Sequence, residues 1–312
     1  MTLINQSQLT EFILIGFPSN KNLQVLLFMV FLSFYILTVT TNVFIIGTVS
    51  LDPKLKRSPM YVFLSHFSFL EIWYTTVTIP KMLVDFTEDT NTISHSGCIV
   101  QIYFFFSLGL TELFFLAAMA YDRYLAICHP LRYNSLMTSK LCNQLSILSW
   151  LCGFFSSFLL VIPSSRLLFC GPNTINHFFC DFIPLLNISC TEIFIIDKIF
   201  YSIAWIIILY SFLLTITSYY CIIMTIYRLP FGTGRKKAFS TCVSHLTVVL
   251  TFYGTIIFMY IRPSKQYAFN IDKVVSIFYA VVIPLLNPLV YTIRNREVKK
   301  AMRNMIMKNC IS

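Results

Sequence analysis

The chain has 312 residues, of which 57% are hydrophobic, only 12% are charged and 31 are Phe. Soluble domains carry about 25% charged residues, so composition overrides the one or two soluble domains that length alone would allow. Few Gly and Pro exclude collagen-like and low-complexity chains, and the sparse, segregated basic charge excludes a disordered or nucleic-acid-coating protein, which leaves a polytopic membrane protein.

A bilayer core takes about 20 mostly apolar helical residues, so the gaps between charged residues locate the spans. Lys21 to Asp52 leaves a long gap; Arg57 to Lys81 is broken only by Glu71, and Asp89 to Asp122 only by Glu112. Lys140 to Arg166, Lys198 to Arg228, Lys237 to Arg262 and Lys273 to Arg294 are free of charge. The expected spans are about 25–51, 58–82, 97–123, 141–163, 198–227, 237–261 and 272–293. Residues 163–197 are also fairly apolar, but Cys170, Gly171, Pro172, Cys180, Pro184 and Cys190 interrupt them, so they read as a long outer loop. The apolar runs are continuous rather than alternating, which excludes a β-barrel. The fold class is an all-α seven-transmembrane helix bundle.

An odd number of spans puts the termini on opposite sides. Sixteen of the 23 Lys and Arg, from Lys54 to Lys308, fall on one set of loops and the C-terminal tail. The positive-inside rule makes that side cytoplasmic and residues 1–22 extracellular. The net charge of +10 is then an orientation signal and a contact for anionic lipid. The first 22 residues lack a basic region followed by an apolar one, so no cleavable signal peptide is expected and the first span serves as the insertion signal. Asn5-Gln6-Ser7 is a glycosylation acceptor on the outer side. Residues 294–312 read as a short amphipathic helix and tail along the inner leaflet, with Val298, Met302, Met305 and Ile306 on its apolar face.

Topology sorts the ten cysteines. Cys98, Cys170, Cys180 and Cys190 lie outside, where disulfides persist, and four cysteines allow three connectivities. A bond from Cys98 to the 163–197 loop would pin that loop over the bundle. Metal binding is the rival reading, but no Cys-x-x-Cys pair or His cluster supports it. Cys310, near the basic tail, reads as a palmitoylation site or a plain thiol.

Ionisable residues inside a membrane are costly and are functional candidates. Glu71 lies about 21 Å of helical rise from Arg57, and Glu112 about 16 Å from Arg123, so the two share a layer. Two buried carboxylates cannot both stay charged without a cation or a proton between them. A sodium-like or protonated site is one reading; two protonated, hydrogen-bonded carboxyls are the other. Asn287, followed by the helix breaker Pro288, lies about 10 Å of helical rise from Arg294. Asp122-Arg123-Tyr124 closes the third span, either as an interfacial pair or as a switch whose Arg bares a docking surface when released.

On the third span the Glu112 face continues outward through Gly109, Phe106 and Phe105. Ile203, Ala204 and Ile207 repeat at helical spacing on the fifth, and Tyr253, Ile256, Ile257 and Tyr260 on the sixth. Such stripes pack helices or face lipid; if they line a cavity, it is apolar with a few hydroxyls and suits a small neutral ligand.

Together these residues resemble the rhodopsin-like G-protein-coupled receptors, and within them the olfactory receptors, over nearly the whole chain. The most specific stretch is Met119–Cys128 (MAYDRYLAIC) followed by His129–Tyr133 (HPLRY). Pro59–Tyr61 (PMY), Ser218-Tyr219, Lys237–His245 (KAFSTCVSH) and Pro284–Tyr291 (PLLNPLVY) fall in the family's order. Thr41-Asn42 departs from the usual Gly-Asn of the first span. Leu55-Lys56-Arg57-Ser58 departs from the usual Leu-His-x-Pro entry to the second, and Glu71 stands where Asp is usual.

The resemblance implies disulfides Cys98–Cys180 and Cys170–Cys190, and no cofactor. It implies a volatile odorant bound in the outer half among spans three, five and six, and opening of the Asp122-Arg123-Tyr124 end toward a stimulatory heterotrimeric G protein that raises cyclic AMP. The matching switch positions are Arg123, Tyr219, His245 and Tyr291. It implies a multi-pass plasma-membrane location, in the ciliary membrane of olfactory neurons. Amine-binding relatives carry an Asp where this chain has Phe105, so the expected ligand is neutral and hydrophobic unless another carboxylate serves.

Three rivals are weaker. A retinal protein needs a Schiff-base lysine in the last span, and Ile277–Tyr291 has none. A transporter relaying protons through Glu71 and Glu112 needs a polar path on both sides, whereas the outer half is aromatic. An enzyme has no catalytic or metal constellation to use, and Gly232-Thr233-Gly234 lacks the strand and spacing of a phosphate cradle. A chemoreceptor for a non-odorant metabolite is the nearest alternative.

Overall fold

The computed structural model describes residues 10–17, 20–88, 91–169, 172–190, 194–230, 232–261, 269–294, 298–301 and 303. Six of its long helices are α1 (Lys21–Leu51), α2 (Pro59–Thr87), α3 (His95–Cys128), α4 (Ser139–Val161), α5 (Phe194–Arg228) and α6 (Thr233–Ile261). The seventh, α7, runs through Phe269–Ile277, a π-helical segment Phe278–Val282 and Ile283–Arg294. By length and composition α1, α3, α4 and α5 can each cross a bilayer; α6 and α7 carry shorter apolar stretches, His245–Met259 and Lys273–Pro288. The polar residues that dilute α2, α6 and α7 face inward: Glu71, Thr75, His245 and Asn287 are all buried. The seven helices form a transmembrane bundle.

Local chemistry sets the helix starts. Asn20 caps α1 by accepting from Leu23 N at 3.0 Å, Ser94 caps α3 from Gly97 N at 3.1 Å, and Thr138 caps α4 from Leu141 N at 3.2 Å. Pro59 opens α2 at a first-turn position where the missing N–H costs nothing. Between α1 and α2, Asp52 accepts from Lys54 N at 2.8 Å and tightens the inner turn.

The helix α3 is the axis. Within its most apolar stretch 78% of residues are buried, against 11% for α1, whose large side chains face lipid. It lies closest to α4, whose inward face carries Ser146, Ser149, Gly153 and Ser157, small residues at spacings of three and four. Small residues let helix backbones approach in a membrane, where packing and hydrogen bonds replace the hydrophobic drive. Ser157 Oγ donates to Tyr103 O of α3 at 3.0 Å. A Cβ added to Gly153 would strike Thr111 Oγ1 and sit 2.7 Å from Thr111 N and 2.8 Å from its Cα.

Over the outer end sits a three-stranded sheet. The strand β1 (Glu11–Leu14) pairs antiparallel with β2 (Thr92–Ser94), Phe12 opposite Ile93, and parallel with β3 (Thr174–Ile175), Leu14 opposite Ile175. Burial alternates along β1, with Phe12 and Leu14 facing the bundle. Segment 1–22 had been read only as an extracellular stretch, and the strand within it is a finding of the structure. Lys273 at the outer end of α7 is buried and donates to Ile15 O at 2.9 Å and Gly16 O at 2.7 Å, which ties the strand's exit to the bundle.

The outer loop is pinned as expected by Cys98–Cys180, with Cα atoms 5.3 Å apart. Gln101, one turn along α3, adds a second clamp by donating to Val77 O and accepting from Cys180 N, both at 2.9 Å. Cys190 is disulfide-bonded, and Cys170, its expected partner, lies outside the described residues. The loop is not structureless: Phe182–Asn187 forms a short helix capped by Asp181, which accepts from Phe182 N at 2.7 Å. Asn5 and most of the expected inner-leaflet helix also lie outside the described residues. Of that helix's apolar face, Val298 is described and buried, while Lys299 and Lys300 are exposed.

Two measurements test this packing. Gly153→Ala should destabilise the receptor by about 1–3 kcal/mol through overpacking, lowering its thermal midpoint. Gly47→Ala, where no neighbour lies within 4 Å, should not. The second concerns His177 in the outer loop, whose Nδ1 accepts from Phe179 N at 3.4 Å while Nε2 lies 3.2 Å from Ser276 Oγ. Burial, and then the nearby Lys273 charge, push its pKa down from 6.5 to about 3. A depressed histidine stays neutral when folded, while the unfolded chain takes up a proton below about 6.5, so stability falls as pH drops through that value toward 3. The loss between pH 7 and 5 is about 2 kcal/mol. Thermal midpoints across that range should fall in wild type and fall less in His177→Gln.

Candidate functional site

Three groups of buried side chains stack along α3, from the outer cavity to the cytoplasmic end. The outer cavity lies beneath the pinned loop. Phe105, Phe106 and Gly109 of α3 line it, as the sequence implies, with Ala204 of α5 and Ile256 of α6. Tyr74 of α2 and Tyr279 of α7 complete the wall, and the loop contributes Asp181 and Ile183. The lining is mainly apolar, aliphatic and aromatic, and its rings cluster: Phe105 stands 5.1 Å from Tyr74 and 5.6 Å from Tyr279 between ring centres, with Phe179 packed behind it at 4.8 Å. Phe106 meets Phe200 of α5 edge-on at 5.3 Å.

Helix rotation separates the expected lining from the observed one. On α5 the wall is Ala204 and Ile208, while Ile203 and Ile207 pack against the core beside it. On α6 it is Phe252, Ile256 and Met259; Ile257 packs against the core, and Tyr253 turns toward α5, its ring 5.2 Å from Phe212. The Tyr260 side chain lies outside the described residues. A stripe read at steps of three and four fixes a face only to within about one residue, or 100° of helix. Gly109 matters for space, because a Cβ there would meet only the Tyr74 ring edge at 3.8 Å.

The cavity holds about 70 Å³, below the roughly 300 Å³ at which ordinary ligand clefts begin. A ligand of several heavy atoms enters only if the aromatic walls turn aside. Its polar features are few. The Tyr279 hydroxyl donates to Ser276 Oγ at 2.9 Å, and Ser276 in turn meets His177. Asp181 is a carboxylate at the wall that sequence spacing did not single out. The signal that was available is its place next to Cys180, which anchors it over the helix ends.

One layer inward, Asn287 of α7 reaches both acidic residues. Its Nδ2 donates to Glu71 Oε1 and lies 3.4 Å from Glu112 Oε1. The three side chains are buried, and Glu71 Oε2 finds no hydrogen-bond partner among the described residues. The structure thus brings Asn287 to Glu71 and Glu112, the two residues that helical rise could place in one layer. An orphaned carboxylate oxygen in a dry layer is a place for one small cation or one proton. Pro288, which has no N–H to give the helix, follows within the same helix, after the π-helical segment has already loosened α7.

At the cytoplasmic end Asp122 holds two partners. Its Oδ2 lies 3.7 Å from the Arg123 guanidinium, and its Oδ1 accepts from Tyr133 of the second inner loop at 2.7 Å. Tyr124 hydrogen-bonds His129 at 3.0 Å. Behind Arg123, Tyr219 of α5 and His245 of α6 share a hydrogen bond of 2.6 Å. Around them Ala120, Ile222, Ile226 and Cys242 pack into an apolar plug between α3, α5 and α6. Arg123 sits at the edge of a closed seam. The Tyr291 side chain lies outside the described residues.

A family model for olfactory receptors matches residues 31–309. Olfactory receptor 6B1 of Homo sapiens is 50% identical over 305 residues, 98% of this chain and 97% of the relative. Olfactory receptor 6P1 of Homo sapiens is 46% identical over 310 residues, 99% and 98% of the two chains, and olfactory receptor 6B9 of Mus musculus is 49% identical over 302 residues, 97% and 95%. The aromatic outer cavity, the buried acidic layer and the closed inner seam are carried by a chain that belongs to the olfactory receptor family: a multi-pass membrane protein, a G-protein-coupled chemoreceptor and not an enzyme.

Proposed function

We propose that this receptor binds small, hydrophobic, volatile ligands in the cavity between Phe105, Phe106, Gly109, Ala204 and Ile256, and that binding frees Arg123 to engage a stimulatory heterotrimeric G protein and raise cyclic AMP. The observation that carries this reading is the lining itself: aromatic rings and aliphatic side chains under a pinned loop, with few polar groups. Asp181 refines the ligand class. Its carboxylate, which also accepts from Phe182 N, is one acceptor in an apolar wall, so the fit is to a body without formal charge that carries one hydroxyl or similar donor. The contracted volume favours ligands small enough to enter by turning the Phe105 and Phe106 rings.

Coupling follows from what lies below. A ligand wedged against α6 at Ile256 pushes on the helix that carries His245 three turns inward. Separation of Tyr219 from His245 would open the plug, and Arg123, held by one 3.7 Å ion pair, would lose its cover. Glu71 and Glu112 hold one shared positive charge, a small cation or a proton, and Asn287 links that layer to Pro288 of α7.

The test is cyclic AMP in cells displaying the chain, challenged with a volatile panel. A dose-dependent rise that disappears in Arg123→Ala at matched surface expression supports the proposal. Gly109→Leu should shift the response by roughly tenfold or more, about 1.4 kcal/mol of binding, while Gly109→Ala leaves it nearly unchanged. Silence with confirmed display would overturn either the ligand class or the G protein. The acidic layer is tested by the thermal midpoint of purified receptor in sodium chloride against N-methylglucamine chloride. A sodium-dependent rise lost in Glu71→Gln identifies a cation, dependence on pH alone identifies a proton, and indifference to both removes the shared charge.

A further inference from the structure

A second cavity, of about 350 Å³, opens at the inner ends of α1, α2 and α4, away from the α3–α5–α6 seam. Its wall is built from Ser50 of α1, Lys56 and Arg57 of the turn between α1 and α2, Ser65 and His66 of α2, and Asn143 of α4. No carboxylate lines it. Among the described residues neither Lys56 nor Arg57 has an ion-pair partner. Asp52, the neighbouring acid, is committed to the amides of Lys54 and Leu55. The α2 and α4 helices both begin at this wall, at Pro59 and Ser139, so the positive ends of two helix dipoles add to the two cations. Ser58, which caps α2, makes no side-chain cap hydrogen bond. Two cations without an ion-pair partner among the described residues and two helix N-termini meet at a hollow of about ten water volumes lined by both polar and apolar side chains, and that arrangement selects an anion.

Exposed apolar residues follow the cavity's wall outward along α2 and α4. On α4, Ile147 and Leu151 follow Asn143 at intervals of four residues, and both are exposed. On α2, Phe69 follows Val62 and His66 on the same side, also exposed, with its ring 5.9 Å from that of Trp150. An apolar track therefore rises from the electropositive hollow at bilayer depth. A free phosphate would use the hollow and leave the track bare, whereas a phospholipid uses both. The turn Leu55–Ser58 is also where this chain departs from the usual family pattern, so the cations belong to this chain.

We propose that the hollow bounded by Lys56, Arg57 and Asn143 binds the phosphate-bearing headgroup of an anionic inner-leaflet phospholipid, with an acyl chain lying along Phe69, Ile147 and Leu151. Lys56 and Arg57 contact the phosphate, Ser50, Ser65 and Asn143 meet headgroup hydroxyls, and choline headgroups are disfavoured because their cation would face two others.

The experiment reconstitutes the full receptor in nanodiscs of phosphatidylcholine alone or with phosphatidylinositol phosphate, and counts retained lipids by native mass spectrometry. The wild type should keep a phosphatidylinositol phosphate adduct, and the double variant Lys56→Ala, Arg57→Ala should retain it roughly tenfold or more less well, as loss of charge-assisted hydrogen bonds implies. Lys299→Ala, Lys300→Ala, which removes exposed tail charge, should retain it normally. Asn143→Leu, which replaces a polar wall group by an apolar one without changing charge, should also weaken the adduct, and an unchanged thermal midpoint in detergent shows that each variant folds. Equal loss in the tail variant, or full retention in Asn143→Leu, would overturn the site in favour of general leaflet attraction. Displacement of the adduct by inorganic phosphate at concentrations similar to those of the intact lipid would overturn the phospholipid and leave an anion site.

Discussion

Contact between α3 at Thr111 and α4 at Gly153 sets the geometry on which the rest of the bundle depends. The two backbones touch where a single methyl group has no room, and the serines above and below extend the same close seam. With α3 held deep in the molecule, three candidate sites follow one another along it: the cavity at Phe105 to Gly109, the acidic layer at Glu112, and the arginine at the inner end. In lipid, where burying another apolar surface brings little gain, such backbone proximity is what gives a helix pair one arrangement.

The outer end solves a different problem. Helix ends that face water leave polar groups and an open mouth, and the chain covers them with a small sheet, a disulfide and a glutamine that bonds both α2 and the loop. Because Gln101 and Cys98 are one turn apart on α3, the loop is held by two attachments to the same helix and cannot swing without distorting it. Lys273 adds a third attachment, from α7 to the backbone after β1. The cover therefore joins α2, α3 and α7, which are also the helices that supply Tyr74, Phe105 and Tyr279 to the cavity. A ligand that moves those rings pushes on the cover, and the cover resists through elements fixed elsewhere.

Toward the cytoplasm the described helices are joined by single polar contacts, as the proposed switch requires. The Asp122–Arg123 pair is long, Asp122 is shared with Tyr133, and the Tyr219–His245 bond is one contact between two helices. The π-helical segment and Pro288 interrupt the regular bonding of α7 beside the acidic layer. Rigid contacts above and breakable ones below give a molecule whose inner end can respond to a displacement at its outer end. The basic hollow at α1, α2 and α4 stands apart from that path, on the face where lipid rather than a G protein is the neighbour.

Much of this was legible in the sequence. Charge-free runs located the helices because a bilayer excludes unpaired charge, and the basic residues oriented them because the inner leaflet is anionic. The common layer of Glu71 and Glu112 could be read as well, since helical rise converts residue counts into depth, whereas the approach of Asn287 to both carboxyls could not. Rotation about the helix axis could not. Ile207 and Ile208 sit at nearly equal depth and differ in facing, and only the neighbours that surround α5 and α6 decided that Ala204, Ile208 and Ile256 reach the cavity while Tyr253 turns away. The strand Glu11–Leu14 was equally hidden, because four residues have no structure of their own until Thr92–Ser94 and Thr174–Ile175 come alongside from distant parts of the chain. The sequence by itself determined which segments enter the membrane, in what orientation and at what depth, since those depend on each segment's own transfer from water. The tertiary structure alone decided facing, cover and cavity, since those depend on contacts between residues far apart in the chain.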